Sequence, residues 1–490
     1  MSSDGSLATP PQVDLVVIGG GLSGLAAAWT AHRLGWSVCV LEAGRTAGGK
    51  VRSERRDGFL LEWGPMAFPG SADAVWKLIE EVGLQGELVE GLPPGDRYVY
   101  RNRRARRLPQ GPGSLLSGDY MSLGGKLRML AEPFVLGNAR EDDTVMSFAR
   151  RRLGREAAQY LIAPFVSGVF AGDPEQLGAR DAFPRLWQWE HDAGSVLMGA
   201  VLGRGAGPAR SGEGSTAEHH HGLYSFREGL ATLPKAIAAA LPPGSVHTSA
   251  VVQGIEALAD ATYSVRYAAT KDANEIGQVT ARHVIIAVPP RAASGLLRTI
   301  PTAHDALAQV EMCRVAVVHF GGPDPHGVAP RGVGVVIPPG EGLRTLGILL
   351  PSSALPGRAP EGHWLHSGFV GGVCDPDAVD LTDETLLSLV RRAQQQAFGH
   401  LYPGLELPCT FSSVVRWRDA IPQYGVGHRE AMARAVAAVE QTWPGVTLAG
   451  NHLHGINVND AAHSGVVAVR RLHERQVVAV AASLAQGGVS

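Results

Sequence analysis

A chain of 490 residues exceeds what one ordinary core fills, so two or three domains are expected. Its formal net charge of -2 excludes an overall pull toward nucleic acid, while a 45% hydrophobic share with 62 Gly suits a loop-rich α/β protein and excludes a disordered or fibrous one. Cys39, Cys313, Cys374 and Cys409 are far apart without CxxC spacing, which supports neither a disulfide framework nor a zinc site and points to a reducing compartment. The opening MSSDGSLATPPQ lacks the basic start and apolar run of a secretory signal. Nowhere does an uninterrupted apolar run reach roughly 18 residues, so the chain is read as cytoplasmic, neither secreted nor membrane-spanning.

The first periodic segment carries the strongest chemistry. In VDLVVIGGGLSGLAAAWTAHRLGWSVCVLEAG an apolar strand, Val13 to Ile18, meets Gly19, Gly21 and Gly24, an alanine-rich helix follows, and a second strand runs from Ser37 to Leu41. A GxGxxG inside such a βαβ unit, with Glu42 about 20 residues on, is the dinucleotide fingerprint. Gly19 permits the tight turn, Gly21 lets backbone approach a pyrophosphate, and Gly24 lets helix and strand pack closely. The helix N-terminus offers its free N–H groups to the phosphates, and Glu42 faces the adenosine ribose. Next comes RTAGGKVRS, in which Arg45, Gly48, Gly49 and Lys50 extend the binding loop in a way that resembles FAD proteins of this fold rather than NAD dehydrogenases. Arg45 taken alone reads equally as a solvated loop charge. In LEWGPMAF, Gly64 and Pro65 make an extended turn beside which a flat ring fits.

Residues 71–87 read as an amphipathic helix, 92–113 as a turn, a short hairpin and a basic loop, and 120–205 as mostly helical. The stretch at 203–222 reads as a linker, and His219, His220 and His221 are adjacent rather than at helical i, i+4 spacing, so no metal role is assigned to them. YSFREGLATLPKAIAAAL is expected to be a helix, with three strands after it ending in HVIIAVPP. A strand-rich stretch over 310–350, spaced as an antiparallel sheet, and a helix over 383–400 suggest a mixed second domain. Near the C-terminus, TLAGNHLHGINVNDAAHSG breaks a strand at Gly450 and re-enters a helix near Val458. Its exposed amides and helix dipole are expected to hold the ring end of the cofactor, with Ile456, Asn457 and Val458 against the isoalloxazine.

VVIGGGLSGL, GDRYVYRN, SGVFAGDPEQL, AFPRLWQWE, IPQYGVGH and LAGNHLHGINVND, in this order, resemble the protoporphyrinogen oxidase family of FAD enzymes across nearly the whole chain. The resemblance implies an α/β fold with a discontinuous Rossmann-like FAD domain at 11–88, 222–296 and 441–480. It adds an α+β substrate domain at 297–440 and a helical membrane-facing domain at 96–205, with 203–221 as linker. It extends the FAD contacts to Gly20, Leu22, Ser23, Met66, Ala67, Val252 and Ala287. The implied reaction is the oxidation of protoporphyrinogen IX to protoporphyrin IX by three two-electron hydride transfers to FAD, with molecular oxygen as acceptor and hydrogen peroxide as by-product.

Arg97 matches the family arginine that pairs with a substrate propionate, and Gly168, Gly334, Val336 and Phe369 fall where the family lines the macrocycle pocket. Met66 stands where some relatives carry asparagine, and a thioether takes no proton at neutral pH. No catalytic base is identified. Family members attach to a membrane surface without spanning it, and a homodimer is admitted. Arg101, Arg103, Arg104, Arg106 and Arg107 read either as a lipid-facing cluster or as a solvated loop. The alternatives are a coproporphyrinogen III oxidase, marked by extra pocket cations, an amine oxidase, which wants an aromatic pair absent from GNHLHGINVND, and a non-catalytic FAD module.

Overall fold

The computed structural model describes residues 12–93, 95–137, 139–202, 222–269, 272–404 and 406–487; the expected linker at 203–221, its three histidines and the first eleven residues lie outside these. The chain opens with β1 (Gln12–Ile18), α1 (Leu22–Arg33) and β2 (Val38–Leu41) and, after a small hairpin, α2 (Asp73–Glu81). The basic hairpin β3 (Arg97–Arg101) and β4 (Arg104–Arg107) leads into the helical stretch with α3 (Leu123–Leu130), α4 (Val145–Arg152), α5 (Ala163–Phe170) and α6 (Val196–Leu202). The strands β5 (Val246–His247), β6 (Ala250–Ala257), β7 (Tyr263–Ala269) and β8 (Asp272–Ile286) return to the first layer. A second sheet follows with β9 (Val315–Pro323), β10 (Gly334–Val336), β11 (Thr345–Leu349), β12 (His363–Gly371), α7 (Asp383–Phe398) and β13 (Phe411–Trp417). The chain closes with α8 (His428–Thr442), β14 (Val446–Leu448) and α9 (Val458–Gly487).

The first sheet has the order β5-β2-β1-β8-β7-β6, with β14 also paired to β8. β1 runs parallel to both β2 and β8, and β14 parallel to β8, so four carboxyl ends open on the same edge. Its strands are apolar on both faces because helices cover both. Leu15, Val17 and Val40 pack with α1 and α9, while Val16, Ile18, Val284 and Ile286 pack with α8. In α9, Gly465 crosses α1, and a Cβ there would lie 2.0 Å from the carbonyl oxygen of Ser23. The last helix is thereby seated on the first turn of the first helix.

The second sheet has the order β13-β9-β12-β11-β10-β3-β4. It departs from the expected boundaries: the hairpin at 97–107, grouped by sequence with the helices, hydrogen-bonds into this sheet through a parallel pairing of β3 with β10. Two further expectations are corrected. Residues 223–226 form a strand, and the helix expected from 224 starts only at Thr232; the helix expected over 71–87 stops at Glu81 and continues as a short 3-10 turn, Gln85–Glu87. Leu223–Phe226 pairs with Leu88–Glu90 and Phe68–Pro69, and this tertiary pairing overrides local helix preference.

In the helical layer, Thr144 caps α4 and Ser122 caps α3 through their hydroxyls. Fully buried Glu132 plays the same part for α6, accepting from Ser195 Oγ and from the amides of Val196 and Leu197, and it pairs with fully buried Arg152. Burial raises the Glu132 carboxyl, but these hydrogen bonds outweigh it and hold the group below its ordinary range. The basic loop is mostly satisfied internally. Arg101 pairs with Glu156, Arg106 with Asp119 and Arg107 with Asp96, so Arg103 and Arg104 are its exposed members without an ion pair among the described residues.

Candidate active site

The fingerprint turn sits where the parallel strands end. Gly19 has φ +104, and a Cβ there would meet the Ala287 carbonyl oxygen at 2.6 Å; one at Gly24 would stand 1.9 Å from the oxygen of Gly19. Gly21 differs, because its nearest neighbour would be Gly49 Cα at 3.9 Å, which leaves the amide face open to a ligand group. Leu22 and Ser23 form the first turn of α1, whose N-cap Gly21 provides no side-chain cap, so the helix amides face the same opening. Gly48 N–H donates to the Gly20 oxygen at 2.8 Å, and Gly49 takes φ +59, bringing the Arg45–Lys50 loop alongside the turn. Arg45 itself is exposed.

Glu42 is held by two backbone amides, Gly20 N and Gly44 N, each 2.6 Å from a different carboxylate oxygen, and each oxygen keeps a lone pair for ribose hydroxyls. Ala250 N donates to the Glu42 oxygen at 2.8 Å, which starts β6 and brings Val252 to this end of the cradle.

At the other end, Gly64 is required by the protein itself: a Cβ would be 2.3 Å from the Lys50 oxygen. The Gly64–Pro65 turn is thus pinned to the cradle loop. Met66 is buried against Ala354 and Leu355, and its carbonyl accepts from Ser225 Oγ, so its thioether serves packing, with Ala67 beside it. The C-terminal motif bridges layers. Ile456 packs with Phe170 and Tyr424, while Val458 belongs to the core under α1. Asn457 and Asp460 bond each other twice, at 2.6 and 2.9 Å, closing the turn at the start of α9.

Several supporting groups carried no sequence signal. Asn459 Oδ1 accepts from Ala74 N and Val75 N and caps α2, which has no cap of its own. Ser464 Oγ accepts from Gly450 N at 2.9 Å. His428 stacks on Tyr424 at 4.3 Å, and its Nε2 donates to the His452 carbonyl, which ties the start of α8 to the C-terminal motif.

The second sheet brings the expected substrate residues onto one face. Phe369 lies opposite Gly347, Gly347 opposite Val336, and Val336 opposite Val99; the next row runs Ser367, Leu349, Gly334, Arg97. Directly paired residues project to the same side, so Arg97, Gly334, Val336 and Phe369 share a face; a Cβ at Gly334 would meet the Ile348 oxygen at 2.5 Å and one at Gly347 the Val335 oxygen at 2.8 Å, so both glycines are required by the pairing itself. Arg101, Arg104 and Arg106 share that face; Arg101 and Arg106 are already paired, while Arg97 and Arg104 are exposed and have no ion pair among the described residues. α5 covers the face, and its Phe165 and Val169 stay 47% and 40% exposed. Gly168 acts differently from expectation: a Cβ there would strike Val336 Cγ1 at 2.7 Å, so its smallness seats α5 on the sheet.

A switch-point cradle joined to a second sheet under a helical cover is matched by the flavin containing amine oxidoreductase family over residues 22–473. The chain belongs to that family. Chloroplastic protoporphyrinogen oxidase 1 of Spinacia oleracea is 32% identical over 472 residues, covering 92% of this chain and 83% of that protein, and this places the chain with the protoporphyrinogen oxidases. The coproporphyrinogen III oxidase of Bacillus subtilis (strain 168) is 29% identical over 474 residues, 93% of this chain and 97% of that one. A crystal structure of an Exiguobacterium sp. 255-15 protein has the same fold, with a TM-score of 0.77 at 23% identity, covering 94% of this chain and 98% of its own. The cofactor is FAD, and the open face at Gly21, the amide-anchored Glu42 and the turn at Gly64 fit its three parts.

Proposed function

We propose that the chain oxidises protoporphyrinogen IX to protoporphyrin IX, with molecular oxygen as the final acceptor. The observation that carries this reading is the face shared by Arg97, Gly334, Val336 and Phe369, on which exposed Arg97 has no ion pair among the described residues. A flat apolar macrocycle with propionates on one edge suits apolar Val336, Leu349 and Phe369 with Arg97 at their edge. FAD supplies the hydride-accepting chemistry when bound. Residues 19–24, Glu42 and Gly49 hold its diphosphate and ribose, and the Gly64–Pro65 and Ile456–Val458 turns hold its ring. Arg97 orients the macrocycle by its carboxylates, and α5 keeps water from its face. Neither a base nor a nucleophile is required of the chain.

Arg101 and Arg106 are spent on Glu156 and Asp119, and Arg104 lies two rows from Gly334, which leaves Arg97 as the arginine of the Gly334 row and favours a substrate with two propionates over coproporphyrinogen III with four. The discriminating experiment is kcat/KM for each porphyrinogen on one sample, read by porphyrin fluorescence. A clear preference for coproporphyrinogen III overturns the reading.

The helical layer is the part that meets a membrane surface. Leu123, Leu127, Leu130, Phe134 and Leu136, the last two 84% and 95% exposed, lie with Met198, Val201 and Leu202 in elements that Glu132 ties together. Among the described residues no helix is long and apolar enough to cross a membrane. Cosedimentation with anionic vesicles that is lost in Phe134→Asp supports this placement; equal pelleting of both proteins refutes it.

A further inference from the structure

A fully buried guanidinium sits behind the turn at Gly64–Pro65. Arg358 has no exposed surface; its Nη1 donates to the Phe226 oxygen at 3.1 Å and its Nη2 to Ser225 Oγ at 2.7 Å. Burying a charge is costly unless its donors are used, and these are used where a strand ladder stops. Phe68 pairs with Tyr224 and Gly70 N donates to the Gly222 oxygen, so the same alternation would make Met66 the next bonded partner of Phe226. The strand begins only at Phe68, and Arg358 takes the Phe226 oxygen that Met66 leaves.

The same side chain reaches Met66 through one hydroxyl. A serine hydroxyl has a single proton, and with Arg358 donating to Ser225 Oγ that proton goes to the Met66 oxygen at 3.0 Å. A planar trans peptide turns the Ala67 N–H the opposite way, and among the described residues that N–H has no hydrogen-bond partner. The entry to the turn is fixed as well. Leu60 N donates to the Arg358 oxygen at 2.9 Å, and buried Glu62 accepts from Leu230 N at 2.8 Å and from Ser53 Oγ at 2.6 Å. Arg358 therefore touches the chain before the turn through Leu60 and at its end through Ser225.

We propose that Arg358 is a positioning residue for the flavin: by holding the Met66 carbonyl on the Ser225 side it presents the Ala67 N–H and the Gly64–Pro65 backbone to the isoalloxazine. The inference rests on the reading that this turn holds the ring, and it does not depend on which substrate is oxidised. Its effect is confined to the ring end of FAD. The other end is built by other bonds, since Gly20 N and Gly44 N hold Glu42 and the parallel strands of the first sheet set the turn at residues 19–24. A contact that orients a binding group from behind acts on the part of the ligand that group meets. An arginine that only stabilised the fold would weaken both ends alike.

The test compares two ligands of the full chain: FAD, by the fluorescence of flavin released from the holoenzyme, and ADP-ribose, which carries the adenosine and diphosphate without the ring, by competition with FAD. Arg358→Met is expected to weaken FAD about tenfold, the loss of a charged hydrogen bond, with a shifted absorption band of the flavin that stays bound and an unchanged affinity for ADP-ribose. An unchanged FAD affinity and spectrum in Arg358→Met overturns the proposal. So does an equal loss for both ligands, which assigns Arg358 to the fold as a whole. If the wild type binds ADP-ribose as tightly as FAD, the turn gives the ring no hold, and the ring assignment falls together with the role of Arg358. Should Arg358→Met not fold, Ser225→Ala decides, because it removes only the relaying hydroxyl: FAD must weaken roughly fivefold against ADP-ribose, and an unmoved ratio refutes the role.

Discussion

Gly465→Ala tests whether the last helix completes the cofactor site by its seating on the first. The added methyl would lie 2.0 Å from the Ser23 oxygen and 2.9 Å from the Ala27 nitrogen, both backbone atoms of α1 that no rotamer change can move. Reaching even a tight 3.0 Å contact requires α9 to retreat by about 1 Å, in a close-packed interface where such shifts forfeit contacts along both helices. Overpacking of this kind costs about 1–3 kcal/mol, and the gain in helix propensity from Gly to Ala returns about 1 kcal/mol. The net is a loss of roughly 0–2 kcal/mol, and it falls where α1 and α9 begin, so FAD dissociation should report it as well as thermal unfolding. The expected result is a lower Tm with FAD affinity weakened by up to about 30-fold. Gly295→Ala is the control, because that exposed helical glycine has no atom within 4 Å of its would-be Cβ, and it should hold or raise the Tm. If both variants behave alike, the close crossing at Ser23 is not what seats α9.

Gly21→Val should fold with a near-normal Tm and purify without FAD, since the space at Gly21 is open in the protein and needed only by the ligand; a fully yellow variant refutes the cradle. Arg97→Ala should raise KM for the porphyrinogen about tenfold with FAD retained, the low end of the roughly 1.5–3 kcal/mol of a charged hydrogen bond because Arg97 is exposed, and Arg97→Lys should recover part of it. An unchanged KM would remove Arg97 from the substrate. Burial pushes Glu62 up to about 7 despite hydrogen bonds from Ser53 and Leu230 that pull it down, so the folded chain holds a proton that the unfolded chain releases above about pH 4.5. Stability should therefore fall between about pH 4.5 and 7, by about 3 kcal/mol at most, and level off above. Glu62→Gln should flatten that slope in pH-dependent melts; a slope equal to the wild type's assigns the dependence to other groups.

The sequence by itself determined what neighbouring residues decide. The glycines at 19, 21 and 24 are legible because a strand, a tight turn and a helix start within one short segment, and each glycine has a local steric reason. The break at Gly450 and the helix start at Val458 were legible for the same cause, as were the apolar runs of the first sheet's strands. The tertiary structure alone decided which segments meet. The rows joining Phe369 to Val336 and Gly334 to Arg97 depend on β3 pairing with β10 across more than two hundred residues, and neither strand carries a mark of its partner. Leu223–Phe226 looked helical because its helix former neighbours lie in sequence, while its hydrogen-bond partners lie far away. Gly168 and Gly465 carry no sign of a packing role in the sequence; Val336 and Ser23, brought up by packing, are what make them necessary. Local turn geometry is written in consecutive residues, whereas packing is a property of pairs that the chain brings together only once folded.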